Sequence, residues 1–358
     1  MKLIYDYKIF LNQSIGGPSR YFVELIKEMI KLNDDTTILS PIYVNKYLRD
    51  IEDKYKKGHY FKNKKYFGKF FNYYNKLISN HYFNNNNYDI LHTTYYDDHV
   101  IKKKPTVITV YDLIHEKYES EYKMPKYHKK KIFSKIDHFI CISKNTQKDL
   151  IEQYDIKEEK TSVIYLSNFK LTGETIGKLD NKNPFFLYVG SRKRYKNFIL
   201  LLKAFSESND IKNNFDIVCF GGGMFLKEEL DLFKKLKLNL DKIHQIDGED
   251  EVLVNLYKFA VAFICTSKYE GFGLPILEAM NSGCPVISSN SSSLPEVYGD
   301  AALSFTPNSS EQLAHCIRQI VNDSNLRRDL VKKGLENIKN FSWKKCAQQT
   351  LKVYNNLI

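Results

Sequence analysis

Ile264-Cys-Thr-Ser-Lys-Tyr-Glu270-Gly271-Phe272-Gly273-Leu274-Pro275-Ile-Leu-Glu278-Ala-Met-Asn-Ser-Gly-Cys-Pro-Val-Ile287 reads as a buried strand, a Gly-Phe-Gly turn, a helix and a second strand. Pro275 stands where a helix begins, because its missing N–H costs nothing in the first turn. The two glycines let the backbone approach a ligand closely, and the new helix N-terminus turns N–H groups toward an anion. Glu270 precedes the helix and Glu278 lies about one turn inside it, so the two carboxylates can flank one ligand without sharing a face. Taken singly, either glutamate reads as a helix cap or a solvated surface acid. The string as a whole reads as a site.

Outward from this stretch, the chain repeats one pattern: a short apolar run, a turn, an amphipathic segment. Strands are expected at Leu3–Tyr7, Thr37–Leu39, Ile90–Thr93, Val107–Tyr111, Phe139–Ile142 and Val163–Leu166. A second series is expected at Phe185–Val189, Ile217–Phe220, Ile243–Ile246, Ala262–Cys265 and Pro285–Ser288, with helices over Asn197–Phe205, Lys227–Leu236, Glu251–Phe259 and Leu274–Asn281. Such alternation predicts parallel sheets covered by helices on both faces. The fold class is therefore α/β, with two doubly wound Rossmann-like domains facing across a cleft. Residues 1–168 form the first domain, with a polar Tyr/Asn/Lys-rich insertion at about 46–88. Residues 169–340 form the second, and Asn168–Asn183 reads as the linker. Ligands on such sheets bind beyond the carboxyl ends of the strands, so the chemistry belongs to residues that directly follow strands.

Composition narrows the partners. The chain has 358 residues, 43% hydrophobic and 14% aromatic, ample for two packed cores. A net charge of +12 points to anionic partners: nucleic acid, an anionic bilayer or phosphorylated substrates. The basic runs Lys54–Lys65, Lys102–Lys104 and Lys126–Lys131 all lie in the first half, and each also reads as a plain solvated face. No RNA-recognition signature accompanies the aromatics of Tyr60–Tyr74, so nucleic acid is not expected. The six cysteines form no C-x-x-C pair and sit in apolar runs, as buried reduced thiols of a cytoplasmic protein do. The N-terminus lacks a signal-peptide core, and no apolar run is long enough to span a bilayer. Any membrane contact is expected from the surface, on the cytoplasmic face.

The Glu270–Glu278 string resembles the E-x7-E region of retaining glycosyltransferases of family 4, whose fold is the two-domain GT-B type. The likeness extends to Ser293-Leu-Pro-Glu-Val-Tyr-Gly-Asp-Ala-Ala302. It also covers Phe186-Leu-Tyr-Val-Gly190-Ser191-Arg192-Lys193-Arg194-Tyr195-Lys196-Asn197, which is similar to the family's Gly-Ser-Arg…Lys-Asn turn. In the first half, Gly16-Gly17-Pro-Ser-Arg-Tyr resembles the family's Gly-Gly loop. Leu91-His-Thr-Thr-Tyr95-Tyr and Val107-Ile-Thr-Val-Tyr111-Asp112-Leu-Ile-His115 resemble its mannosyltransferase branch.

The resemblance implies roles. Arg192 and Lys196 would meet the donor diphosphate, Glu270 the hydroxyls of the transferred sugar and Glu278 the ribose. Gly190, Gly271 and the backbone of Phe272, Gly273 and Leu274 would line the phosphates, with Gly16 and Gly17 approaching from the other domain. Asp112 would face the sugar or the acceptor, and either it or the departing phosphate takes the acceptor proton. Tyr111 stands where many relatives have a histidine, so a catalytic histidine does not carry over there. His115, Tyr111 and Tyr95 fall on the acceptor side. Gln245–Asp250 would neighbour the base, and Gly221–Gly223 either passes near the nucleotide or makes a plain turn. A last helix opening at Phe341-Ser-Trp343, residues 341–358, would cross back toward the first domain.

No metal or other cofactor is expected: cations and helix N-termini neutralise the leaving group, and no D-x-D motif is present. The expected reaction moves mannose from GDP-mannose onto a glycan or polyprenyl-diphosphate-linked acceptor in surface polysaccharide (O-antigen) synthesis. A UDP-sugar donor is the alternative within the fold, and a catalytically degenerate nucleotide- or membrane-binding protein is the alternative outside it.

Overall fold

The computed structural model describes residues 1–62, 67–96, 103–118, 126–169, 183–192 and 194–358. Most of the expected linker, together with Lys64, Lys65, Lys102 and Lys193, lies outside the described residues. The chain divides into two units, Met1–Leu166 with Ser342–Ile358, and Ser167–Phe341.

Among the described residues of the first unit seven parallel strands run β1 (Leu3–Tyr5), β2 (Thr36–Tyr43), β3 (Lys56–Tyr60), β4 (Ile90–Thr93), β5 (Thr106–Val110), β6 (His138–Cys141) and β7 (Thr161–Val163). Their order in the sheet is β3-β2-β1-β4-β5-β6-β7. Central strands such as β1, β4 and β5 are buried at every position, as strands covered on both faces must be. That burial explains why their β-branched runs are legible in the sequence. β3 differs. It is an edge strand, Lys-Lys-Gly-His-Tyr, with alternating exposure and no apolar run. Residues 46–88 are therefore no excursion from the fold: they supply the edge strand β3 and the helix Gly68–Asn85, which packs on β2.

Among the described residues the second unit has six parallel strands: β8 (Phe185–Val189), β9 (Asp216–Phe220), β10 (Ile243–Ile246), β11 (Ala262–Cys265), β12 (Val286–Ser289) and β13 (Leu303–Phe305). They are ordered β10-β9-β8-β11-β12-β13. Its core gathers Phe186, Phe198, Phe205 and Phe233 with aliphatic side chains from both helical layers. Each fully buried Phe contributes roughly 2 kcal/mol of transfer free energy.

Both sheets reverse their winding once, between β1 and β4 and between β8 and β11. Such switch points open a crevice at the carboxyl ends of the strands. The helix Trp343–Asn355 belongs to the first unit, where it lies on the helix Gly17–Leu32 and buries Cys346, Ala347, Thr350, Val353 and Tyr354. No helix among the described residues is long and apolar enough to cross a membrane.

Candidate functional site in the second unit

The loops that follow β8 and β11 leave the sheet on either side of its switch point and are sewn together. Thr266 Oγ1 donates to the Lys196 carbonyl at 2.8 Å, and the Lys268 N–H donates to the Tyr195 carbonyl at 2.7 Å. This seam brings Lys196 to Glu270: Nζ lies 2.6 Å from Oε1, with both side chains partly open to solvent. Ser267 Oγ donates to the same Oε1 at 2.5 Å. Burial, the largest influence, opposes the charge on Lys196. The Glu270 carboxylate outweighs it by charge and hydrogen bond, so the ammonium pKa ends above its usual value. Only one of the three Lys196 donors is spent on a hydrogen bond to a described residue, and Glu270 Oε2 has no such partner.

The Glu270 loop is held from beneath by a serine run. Ser293 Oγ donates to the carbonyls of Glu270 and Phe272 at 2.8 and 2.7 Å, and Ser292 Oγ accepts from the Glu270 N–H at 2.8 Å. Ser289 Oγ donates to the Ser267 carbonyl at 2.5 Å, and Ser291 Oγ to that of Lys268. Gly273, at φ +126°, then starts the helix Leu274–Asn281, a conformation that L side chains rarely adopt. Pro275 sits in the first turn, where the N–H groups have no intrahelical acceptor. Glu278 is half-buried on this helix, and the buried Tyr257 donates to its Oε2 at 3.2 Å. Nothing in the sequence marks Tyr257, and the strings that contain Ser267 and Ser293 do not give these serines their partners. They act through side-chain direction, which spacing does not report.

Arg192, expected at the donor diphosphate, is tied into the protein in this structure. Only 6% of it is exposed, and its guanidinium turns inward onto Glu229, with Nε 2.8 Å from Oε1. The remaining donors hold the carbonyls of Gly221, Gly223 and Met224 at 2.8–3.1 Å. Phe225 lies under the charge at 4.6 Å. In this structure the fork is spent on the protein, shaping the loop after β9. Gly221, Gly222 and Gly223 have φ between +73° and +80°, and a Cβ on Gly222 would come within 2.9 Å of Arg192 Nη1 and of the Gly190 carbonyl oxygen. Glu229 completes the device, because its Oε2 accepts from the Leu226 N–H at the start of the helix Lys227–Lys235. Gly190, at φ +107°, leaves β8 into the same cluster.

The remaining candidates sit in the first unit, at the carboxyl ends of its own strands. Gly16 caps the helix Gly17–Leu32, with Pro18 in the first turn and Ser19 Oγ donating to the Gly16 carbonyl at 2.9 Å. Asp112 follows β5 and accepts from the Ile114 N–H at 3.1 Å. Burial raises its carboxyl pKa, opposed by that hydrogen bond and by Lys129. Tyr95 shares its field, burial first and then Asp112 raising the phenol. The Tyr111 hydroxyl is buried with no hydrogen-bond partner among the described residues. His115 is half-buried just beyond. Lys129, from the basic run 126–131, is no surface cation: it is buried, 2.7 Å from Glu116, whose Oε1 also accepts from Tyr154 at 2.6 Å.

A larger cavity of about 550 Å³ lies at the amino ends of the second unit's strands, lined by Pro184, Phe215, Val261 and Pro285. Among the described residues its walls carry no carboxylate, and it lies at the wrong pole of the sheet for the chemistry.

Two family models cover most of the chain: "Glycosyltransferase Family 4" matches residues 15–166, and "Glycosyl transferases group 1" matches residues 174–337. The chain belongs to this glycosyltransferase family, and its fold is GT-B. Among relatives, it is 47% identical over 108 residues to the O-antigen chain mannosyltransferase B of Escherichia coli, covering 30% of this chain and 28% of that one. It is 31% identical over 187 residues to the O-antigen chain mannosyltransferase RfbU of Salmonella typhimurium, covering 51% of this chain and 50% of that one. It is 26% identical over 277 residues to the serotype-specific mannosyltransferase WbdA of Escherichia coli, covering 71% and 34%. The chain thus spans half or less of these relatives' own length. Anabaena HepE, solved in complex with UDP, superposes with a TM-score of 0.77 at 17% identity over the whole of both chains. A glycosyltransferase from Rickettsia africae does so at 0.73 and 20%, over 99% and 98%.

Proposed function

We propose that this glycosyltransferase moves mannose from GDP-mannose, with retention and without a metal, onto a glycan or polyprenyl-diphosphate-linked acceptor in O-antigen-type polysaccharide synthesis. The observation that carries the reading is the Lys196–Glu270 pair at the switch point of the second unit. Transfer of a glycosyl group requires that charge developing on the departing diphosphate be met as it forms. Lys196 offers donors for this, and the N-terminal turn of the helix Leu274–Asn281 adds its dipole. Glu270, pinned through one oxygen, offers the other to a sugar hydroxyl, and Glu278, steadied by Tyr257, suits a diol such as ribose. On the acceptor side Asp112 is the protein group offered as base, its raised pKa keeping it a stronger base than an ordinary carboxylate. Three relatives named as mannosyltransferases support mannose, and two of them, named for O-antigen chains, support O-antigen. The basic balance of the chain supports an acceptor held at an anionic bilayer.

The test is a thermal shift series with GDP, UDP, ADP and their mannose and glucose conjugates, each with and without EDTA. A ligand that binds the folded chain alone raises its melting temperature. A shift confined to GDP and GDP-mannose that survives EDTA is expected. Glu270→Gln should keep the GDP shift while turnover falls about a hundredfold, whereas Glu278→Ala should lose most of the shift itself. A shift with UDP-sugars alone overturns mannose and leaves the family intact. No shift with any nucleotide sends the reading to a degenerate binding protein.

A further inference from the structure

The helix Gly68–Asn85 is packed with its more apolar face outward. It docks on its own unit through every fourth residue: Phe71, Asn75, Ser79 and Phe83 are buried. Two of these four are polar. Asn75 fastens the helix to β2 by accepting from the Ile42 N–H at 2.7 Å and donating to the Ile42 carbonyl at 2.8 Å. The opposite face carries Phe70, Tyr73, Tyr74, Leu77 and Ile78, spaced as neighbours on a helix and each 38–60% exposed, with Phe67 before them at 51%. Phe70 and Tyr74 stack at 25° with centroids 6.4 Å apart, so the stripe is an ordered patch and not a scatter of single residues. Lys69 and Lys76 run along one flank, Lys62 precedes the helix, and the helix contains no Asp or Glu. A continuous aromatic and aliphatic stripe beside lysines, without a carboxylate, is the make-up of a helix that lies in a lipid interface. Tyrosine suits that boundary because its ring is apolar and its hydroxyl wet.

We propose that this face docks the chain onto an anionic bilayer, with the stripe entering the headgroup boundary and the lysines meeting lipid phosphates. Pairing with a second copy is disfavoured by charge, since two such faces bring Lys69 and Lys76 of each chain toward those of the other. Anionic lipid complements them. The proposal gives a place to the bilayer contact invoked for the acceptor and rests on that reading only for its purpose, because docking requires no sugar.

The experiment is co-sedimentation of the full chain with vesicles of phosphatidylcholine alone, and of equal parts phosphatidylcholine and phosphatidylglycerol. The chain should pellet with the mixed vesicles and only weakly with the neutral ones. Phe70→Ser, Tyr73→Ser and Leu77→Ser together should lower partition about tenfold or more with the melting curve unchanged, since these side chains are exposed. Lys69→Glu with Lys76→Glu should weaken binding to the anionic vesicles alone. A folded triple variant that pellets like the parent overturns the proposal. So does a parent chain that ignores both vesicles, or one that forms a dimer dissolved by the triple variant without binding either. A chain that binds vesicles but shifts with no nucleotide fails only the transferase reading. One that transfers mannose to a water-soluble acceptor but ignores vesicles fails only the docking face.

Discussion

Arg192 and Lys196 leave the same loop, yet burial gives the two cations different work. Arg192 is locked between Glu229 and the glycine loop, and Lys196 is held by Glu270 at the end of its side chain. Arg192→Ala should therefore cost about 3 kcal/mol of stability, read as a lowered urea midpoint, because it strands the half-buried Glu229. Arg192→Lys should restore little, since an ammonium cannot hold three carbonyls and a carboxylate with a planar fork. Lys196→Ala should leave the midpoint within about 1 kcal/mol and cut turnover at least a hundredfold. Equal stability losses in both would merge the roles again. In the sequence the pair is simply two cations after a Gly-Ser turn. Which one points inward depends on Glu229, a contact across 37 residues that no local pattern encodes.

The helix Trp343–Asn355 is pinned by buried polar groups, and the pin is sensitive to acid. Tyr354 meets the Nδ1 of His92 on β4 at 2.5 Å, and Tyr5 on β1 at 3.1 Å, while Nε2 of His92 meets Thr109 on β5 at 3.0 Å. Complete burial lowers the His92 pKa from 6.5 to about 3, so the imidazole is neutral in the folded chain. The unfolded chain takes up a proton below pH 6.5 that the folded one refuses until about pH 3. Stability present above that upper value should therefore be lost as pH falls through the window, at up to about 1.4 kcal/mol per pH unit from this group. Urea melts of the parent and His92→Asn between pH 7 and 4 check this: the variant starts less stable, and the gap should narrow with acid. A constant gap would mean that His92 takes up its proton as readily in the folded chain as in the unfolded one. As elements, the parallel strands and the helices after them are legible because two-sided burial demands continuous apolar runs. β3 and β13 are not, since these edge strands carry no such run, and the outward stripe of Gly68–Asn85 reads in one dimension like any amphipathic helix.

At the scale of the whole molecule, the six cysteines are all buried, and burial pushes the thiols of Cys141, Cys219, Cys284 and Cys346 up to about 12. Thiolate is the reactive form, so the native chain should titrate with no more than one equivalent of Ellman's reagent at pH 8, and all six thiols after guanidinium. Rapid native titration of several would show that one of the cores opens. The sequence by itself determined the α/β class, the two winding series and the Glu270–Glu278 string, because strand burial, helix period and glycine turns are all written in neighbouring residues. Only the tertiary structure decided that Arg192 turns onto Glu229 while Lys196 meets Glu270, that serines from Ser289 to Ser293 hold the Glu270 loop, that Lys129 is buried, and that an aromatic face is left outside. Each of those outcomes depends on which distant side chain fills the space beside it, and packing across tens of residues is settled only when the chain closes.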